Sequence, residues 1–257
     1  MLNKYQLWLF DRRKRNEDPH ETRQRILSDD FLSFVYKSVY EFQRSSILDY
    51  SNSAHPRILE IGSAGGITKS INPLIITSDI RWEDQVDLEI KNQKLPIEDS
   101  SLDGIIGKDV LHHIPDLAEH FSEVLRCLKV GGVAIYSEPN WNLFSKIIFV
   151  LLHPEPFITK SKEWKFSSHD PMYSNQALPF IVFERDIEEF RKMFKEFEVF
   201  LLGSNIGLSF LISGGVYSRT KVPSKVLISL MKLENRYPVW IKLFGLNRFI
   251  LIRKRVS

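Results

Sequence analysis

The chain has 257 residues, 43% of them hydrophobic and 26% charged, with a formal net charge of +3. These values fit a soluble globular protein, with room for one large domain or a domain plus an added lobe. The single cysteine, Cys127, excludes an intrachain disulfide and fits a reducing compartment, so a cytoplasmic location is expected. Met1 to Phe10 lacks the basic start, apolar stretch and small-residue cleavage site of a signal peptide. The longest apolar run, Ile147 to Leu152, is far too short to span a bilayer. Charge is unevenly spread: Val216 to Ser257 holds ten Lys or Arg against one acid, Glu234. That excess suits either an anionic neighbour (lipid head groups, a phosphorylated substrate, nucleic acid) or a plain solvated basic face.

No internal repeat or low-complexity tract is present. Asp11 to Glu21 is charged and poorly patterned and reads as a loop or mobile arm. Phe31, Phe34, Val35, Val39 and Phe42 fall at helical spacing and predict an amphipathic helix over about Asp30 to Tyr50. Strand-like runs follow at Arg57–Ile61, Leu74–Ile80, Val86–Ile90 (the weakest), Leu102–Ile106 and Val133–Ser137, the last placed after a break at Gly131-Gly132. Between the last two, Leu117, Phe121, Val124, Leu125 and Leu128 mark a helix with Pro115 near its start. Trp141 to Leu152 is apolar and helix-like, and His153 to Ser174 is irregular. Leu178–Phe183 reads as a strand, Ile187 to Phe197 as a helix, and Phe197–Leu202 as a strand. Val222–Asn235 and Val239–Phe244 read as amphipathic helices, and Phe249–Arg253 as an edge strand.

Strands alternating with helices predict an α/β fold: a Rossmann-like, seven-stranded, mostly parallel sheet with helices on both faces. The expected organisation is a helical extension over residues 1–52, a nucleotide-binding core over 53–140, and cap insertions plus the final strands over 141–257. The cap, Trp141–Ser174 and Ser204–Leu246, is expected to be helical and irregular and to cover the carboxyl edge of the sheet.

The main chemical signal is Leu59-Glu60-Ile61-Gly62-Ser63-Ala64-Gly65-Gly66. A buried strand delivers a turn of small residues, and the next helix presents free N–H groups to a ligand. A nicotinamide-binding turn would read G-x-G-x-x-G, whereas Ser63-Ala64 follows the first glycine here. Asp79, thirteen residues after Gly66, ends the second strand, where an acid can accept hydrogen bonds from both ribose hydroxyls of an adenosine ligand; a solvated strand-end Asp is the plainer reading. The E-x-G-x-x-x-G spacing resembles the first motif of class I S-adenosylmethionine-dependent methyltransferases. Leu95-Pro96-Ile97-Glu98-Asp99-Ser100-Ser101-Leu102-Asp103, then Val110-Leu111-His112-His113-Ile114, then Glu123-Val124-Leu125-Arg126-Cys127-Leu128-Lys129-Val130-Gly131-Gly132 resemble, in order, the motifs of the methyltransferase domain type eleven family. Leu102, Cys127 and Val130 replace the family's Phe, Val and Pro. The family's adenine-reading Asp is replaced by Lys91, which cannot accept a hydrogen bond, so Asn92 or the backbone is left to read the base. Glu138-Pro139, His153-Pro154-Glu155-Pro156-Phe157, Asn175-Gln176-Ala177-Leu178-Pro179 and Phe183-Glu184-Arg185-Asp186 resemble a bacterial subgroup whose members often sit with genes for surface polysaccharide synthesis.

The resemblance implies S-adenosyl-L-methionine as cofactor and an enzyme that methylates a small-molecule, saccharide or lipid-linked acceptor, through oxygen. It implies cofactor contacts from Glu60, Gly62, Ser63, Ala64, Gly66, Asp79, Ile80, Asn92 and Lys108. An oxygen acceptor must lose a proton, and Asp109, His112, His113 and Glu138, from the carboxyl ends of the fourth and fifth strands, are the candidates, with His169 a further one. His113 is the preferred base; alternatively the histidine pair only caps a helix or packs. Trp141, Trp164 and Tyr173 are candidate acceptor platforms or cap-core aromatics. No metal-ligand set, G-x-S-x-G elbow or Walker-type loop is read from the sequence. The basic tail, with Val226, Leu227, Leu230 and Met231 on one helix face, suggests peripheral contact with anionic lipid at the inner membrane surface. The other readings are a non-catalytic adenosyl-binding module and, with no Asn/Asp-Pro-Pro-aromatic motif to support it, a nucleic-acid methyltransferase.

Overall fold

A computed structural model describes residues 18–51, 53–90, 94–153, 155–166, 174–216 and 220–256. The chain enters through two helices, α1 (Pro19–Ser28) and α2 (Asp30–Tyr50). Asp18 caps α1 by accepting from the His20 N–H, so Pro19–Glu21 is helical and not part of the arm expected from the sequence. Asp29 both ends α1 and caps α2, its Oδ1 accepting from Phe31 N and Leu32 N, each at 2.9 Å.

Five strands then alternate with helices: β1 (Ile58–Ile61), α3 (Ile67–Ile71), β2 (Ile76–Asp79), β3 (Leu88–Glu89), β4 (Leu102–Lys108), α4 (Leu117–Cys127) and β5 (Leu128–Pro139). A 3-10 turn, Leu111–His113, lies between β4 and α4. Strand β5 starts at Leu128, earlier than a break at the glycine pair would allow: it runs through Gly131, at φ +81, and Gly132 as a bulged segment. The remaining elements are α5 (Leu143–Leu152), α6 (Leu178–Phe180) with a π-helical turn at Ile181–Arg185, α7 (Ile187–Met193), β6 (Phe197–Leu202), α8 (Leu208–Ser213), α9 (Ser224–Arg236), α10 (Pro238–Phe244) and β7 (Asn247–Lys254).

The strands form one sheet in the order β3-β2-β1-β4-β5-β7-β6. All neighbours are parallel except β7, which runs antiparallel to both β5 and β6. The fold is therefore a seven-stranded, mostly parallel sheet flanked by helices. Two further expectations change. Leu178–Phe183 is helical: Pro179 fits a first helical turn, and Leu178, Ile181, Val182 and Phe183 bury together, a short apolar run that fits strand and buried helix alike. Phe249–Arg253 is an interior strand, with Ile250 and Ile252 fully buried between two neighbours, and β6 takes the edge.

One core, with Phe121 of α4, Phe183 and Phe190 at its centre, fills one face of the sheet; another, with Phe31, Val35 and Val39 of α2 and Leu227 and Met231 of α9, fills the other. The helix face proposed from the sequence to touch lipid is thus partly spent: Leu227 and Met231 are each 2% exposed.

Candidate functional site

Strand order reverses at β1, whose neighbours β2 and β4 lie on opposite sides, and the crevice at such a point is where open α/β sheets bind ligands. The turn leaving β1 is built for close backbone approach. Gly62, Ala64, Gly65 and Gly66 all have positive φ, +72, +43, +86 and +71. A Cβ on Gly62 would lie 2.5 Å from Val110 Cγ2, and one on Gly66 would lie 2.5 Å from the Gln85 carbonyl oxygen. Ser63 Oγ accepts from Ser78 N at 3.0 Å, which ties the turn to β2. The Glu60 carboxylate is wholly buried beneath the turn and accepts from the Thr68 hydroxyl at 2.5 Å, joining β1 to α3; burial raises its pKa against the hydrogen bonds that oppose it.

Asp79 ends β2 facing this turn. Its Oδ2 accepts from Ala64 N at 2.9 Å and its Oδ1 from Arg81 N at 3.2 Å. Ile80, the next residue, is 46% exposed. Lys91 and Asn92 lie outside the described residues. The segment after them is held by α4: Glu123 accepts from Leu95 N, and Arg126 donates to the Leu95 and Ile97 carbonyls and to Asp99. These bonds give the Leu-Pro and Glu-x-x-Arg motifs a physical purpose, since one guanidinium fork fixes the loop that precedes β4.

At the end of β4, Lys108 ion-pairs with Asp109 and lies 4.6 Å from the Tyr36 ring centroid. Burial works against the Lys108 charge, but Asp109 and Tyr36 outweigh it and raise the pKa. Asp109 itself sits at φ +51. Glu138, at the end of β5, is fully buried; one carboxylate oxygen accepts from Val110 N and Leu111 N at 2.9 and 2.8 Å, and the other meets His112 Nδ1 at 2.7 Å. It therefore anchors the turn that carries the histidine pair. His112 is 2% exposed. Burial disfavours its charge, yet Glu138 and Glu155 prevail and push its pKa up to about 10, so its ring is an imidazolium at neutral pH and a poor proton acceptor. The His113 ring stacks at a tilt against it, centroids 4.4 Å apart, with 21% of the side chain exposed.

The structure brings Asp109, His112, His113 and Glu138 into one neighbourhood at the carboxyl ends of β4 and β5. It adds Glu155, His153 and Gln176, to which the sequence reading gave no role. Glu155 Oε2 is 3.5 Å from His112 Nε2, and its Oε1 is 3.7 Å from His113 Nε2. Gln176 Nε2 reaches Glu155 Oε2 at 2.9 Å and His153 Nδ1 at 2.7 Å. The His-Pro-Glu-Pro-Phe and Asn-Gln-Ala motifs were the available signal; what they lacked was any spacing that tied them to His112. Trp164 is a core residue, 7% exposed, with its indole donating to Asp186 at 2.9 Å. Trp141 lies under the Arg248 guanidinium, 4.5 Å from its ring centroid. His169 and Tyr173 lie outside the described residues. A separate cleft of about 410 Å³ opens between α2 and α9, lined by Phe34, Ser38, Asn205, Met231 and Lys232 among others; it shares no residue with the glycine turn or the histidine pair.

Residues 79–136 match the family model of the methyltransferase domain. The chain is 40% identical over 52 residues to a Mycolicibacterium smegmatis protein described as a "Probable S-adenosylmethionine-dependent methyltransferase". That alignment covers 20% of this chain and 20% of the relative, so the chain spans about a fifth of the length of the curated relative it matches. Among solved structures, it is similar to an S-adenosylmethionine-dependent methyltransferase from Archaeoglobus fulgidus, with 18% identity, a TM-score of 0.47, and coverage of 85% of this chain and 94% of the other. It is similar as well to the YcgJ protein from Bacillus subtilis, at 17% identity and a TM-score of 0.40 over 85% of this chain and 100% of the other. The segment from Asp79 at the end of β2 to Tyr136 in the core is thus similar in sequence to a methyltransferase domain.

Proposed function

We propose that the chain is an S-adenosylmethionine-dependent methyltransferase that transfers the methyl group to an oxygen of a small-molecule, saccharide or lipid-linked acceptor. The observation that supports this most is the meeting of Asp79 with the turn Gly62–Gly66, a carboxylate and a sterically stripped backbone side by side at the switch point of the sheet. When bound, the cofactor supplies an electrophilic methyl group on a sulfonium. The chain's own residues do the rest. Asp79 accepts from the ribose hydroxyls, and Gly62, Ser63, Ala64 and Gly66 let the backbone lie against the ligand. Ile80 flanks the base, and Lys108 borders the site. Glu60 holds the turn from below. Glu138 and the charged His112 position His113, which takes the acceptor's proton, while Asp109 closes that side of the crevice.

Isothermal titration with S-adenosylmethionine and its demethylated product tests the cofactor half. Binding of both is expected, with loss in Asp79→Ala and Gly62→Val. Wild-type affinity in either variant refutes the placement of the site, and no binding to the wild type at millimolar ligand refutes the enzyme reading. Binding without transfer to any extract-derived acceptor favours the adenosyl-binding module.

A lipid-linked acceptor and peripheral membrane contact are supported by an apolar surface on α5 and α10, not by α9. Leu143, Leu151, Val239, Trp240 and Leu243 are 78%, 56%, 68%, 51% and 55% exposed. Phe144 and Phe244 join the two helices, ring centroids 5.2 Å apart, and Lys146 and Lys242 stand exposed among the apolar side chains. α5 leaves the carboxyl end of β5, and α10 precedes β7, whose first residue pairs with that end, so both helices lie at the carboxyl edge of the sheet. Among the described residues no helix is long and apolar enough to cross a membrane, and an apolar face rimmed by lysines suits the interface. Co-sedimentation with vesicles containing anionic lipid is expected at low salt and should fall at least tenfold in Leu143→Ser/Trp240→Ser. Unchanged sedimentation of that variant removes the membrane contact and leaves a soluble acceptor.

A further inference from the structure

The side chains of His112, His113 and Glu155 each offer one ligand atom, and those atoms all lie within 4.8 Å of one another. Two separations are informative. His112 Nε2 to Glu155 Oε2 at 3.5 Å and His113 Nε2 to Glu155 Oε1 at 3.7 Å, one to each oxygen of the carboxylate, exceed a direct charge-assisted hydrogen bond, which runs about 2.7–2.9 Å. They are close to the distance between two ligands of one tetrahedral ion, about 3.3–3.6 Å for metal bonds of about 2.0–2.2 Å. The surroundings have the form that metal-binding imidazoles have. Glu138 meets His112 Nδ1 at 2.7 Å, which fixes the ring and turns Nε2 toward Glu155. Gln176 donates to Glu155 Oε2 at 2.9 Å and fixes the carboxylate in turn. Glu138 and Glu155 are 0% and 2% exposed, so a cation here would be held among buried carboxylates.

We propose that His112 Nε2, His113 Nε2 and a carboxylate oxygen of Glu155 bind a divalent transition-metal ion, with Glu138 and Gln176 as positioning residues. Two imidazoles and one carboxylate select zinc, cobalt, nickel or iron over magnesium and calcium, which take oxygen ligands. The metal site goes beyond the methyl-transfer reading and does not depend on it. With the ion bound, His113 is a ligand and His112 gives up the proton that it carries in the ion-free chain, so the charged state of His112 and the proton-accepting role of His113 apply to the ion-free chain alone.

The test uses the full chain, stripped with a chelator and dialysed against zinc, with bound metal measured by atomic emission. One zinc per chain at micromolar free zinc is expected. Cobalt in place of zinc should give the intense visible absorption of a four-coordinate site with nitrogen ligands. His113→Ala and Glu155→Gln should each weaken zinc at least ~100-fold, and Glu138→Gln about 10–100-fold. The thermal midpoint of the wild type should rise with zinc and not with magnesium, a reading that stands even where a variant misfolds. Less than half an equivalent of zinc on the wild type, or wild-type zinc affinity in His113→Ala, overturns the proposal. Cofactor titration on the same samples is scored separately, so failure of one reading is distinguishable from failure of the other.

Discussion

Gly62 shows how one missing methyl group sets the site. Its φ of +72 is strained for any other residue, and an added Cβ would run into Val110 Cγ2 at 2.5 Å, so the turn leaving β1 and the turn leaving β4 touch through this glycine. Gly62→Ala is expected to cost about 2–3 kcal/mol from overpacking and left-handed strain together. Adding Val110→Ala removes the overpacking and leaves the strain, so the double variant should recover part of the loss in a denaturant titration. His120 gives a different residue-scale expectation. It is 3% exposed on α4, with Nε2 2.9 Å from the Tyr136 hydroxyl, and burial depresses its pKa to about 3, against a weaker opposing pull from Glu123. The folded chain holds this ring neutral, whereas the unfolded chain protonates it near pH 6.5. Its contribution to stability is complete above that pH and is lost as pH falls toward the folded value, with a slope of up to about 1.4 kcal/mol per pH unit. Unfolding measured at pH 7, 6 and 5 should show a shallower decline in His120→Gln than in the wild type. Equal slopes would mean that the ring is charged in the fold.

At the scale of elements, the loop before β4 depends on α4. Arg126 makes bonds to Leu95, Ile97, Asp99 and Glu123 from one planar group, and a lysine ammonium cannot reach them together. Arg126→Lys is expected to cost about 1–2 kcal/mol by thermal unfolding and to speed amide exchange over residues 94–101; protection equal to the wild type would assign the loop's order to packing alone. Elements with a long, regular apolar period were legible in the sequence. α2 has the predicted bounds, and α4 shows Leu117, Phe121 and Val124 buried as the spacing required. Misreadings fell where the pattern is short or uninformative. Leu178–Phe183 carries six residues that suit either conformation, and contact with α4 and α7, invisible in sequence, made it helical. Gly131-Gly132 looks like a boundary because glycine usually ends an element, but a bulge lets β5 pass through it.

For the whole molecule, a seven-stranded, mostly parallel sheet followed from alternating elements, because connection rules leave few topologies, whereas the strand order came from the structure alone. The Asp79 side of the crevice was legible for the same reason: a residue at a strand's end has its place fixed by the strand. The cluster of His112, His113, Glu138, Glu155 and Gln176 was not, since it joins segments up to sixty-four positions apart through loops whose paths no periodicity records. Hydropathy ranks residues and cannot say which face a neighbour covers: on α9, Leu227 and Met231 are buried in the core that they share with α2, while Leu143 of α5 and Val239 and Leu243 of α10 stand exposed.

Strand β7 lies later in the chain than every strand it joins, yet it sits between β5 and β6 and is antiparallel to both. During synthesis, β1 to β5 can pair as they leave the ribosome, but β6 has no ladder to enter until Asn247–Lys254 has been made. Nascent chains arrested before residue 247 should therefore carry an open sheet edge on β5 and an unpaired β6 segment, and be chaperone-bound, whereas chains arrested once β7 has cleared the exit tunnel should resist protease across the whole sheet.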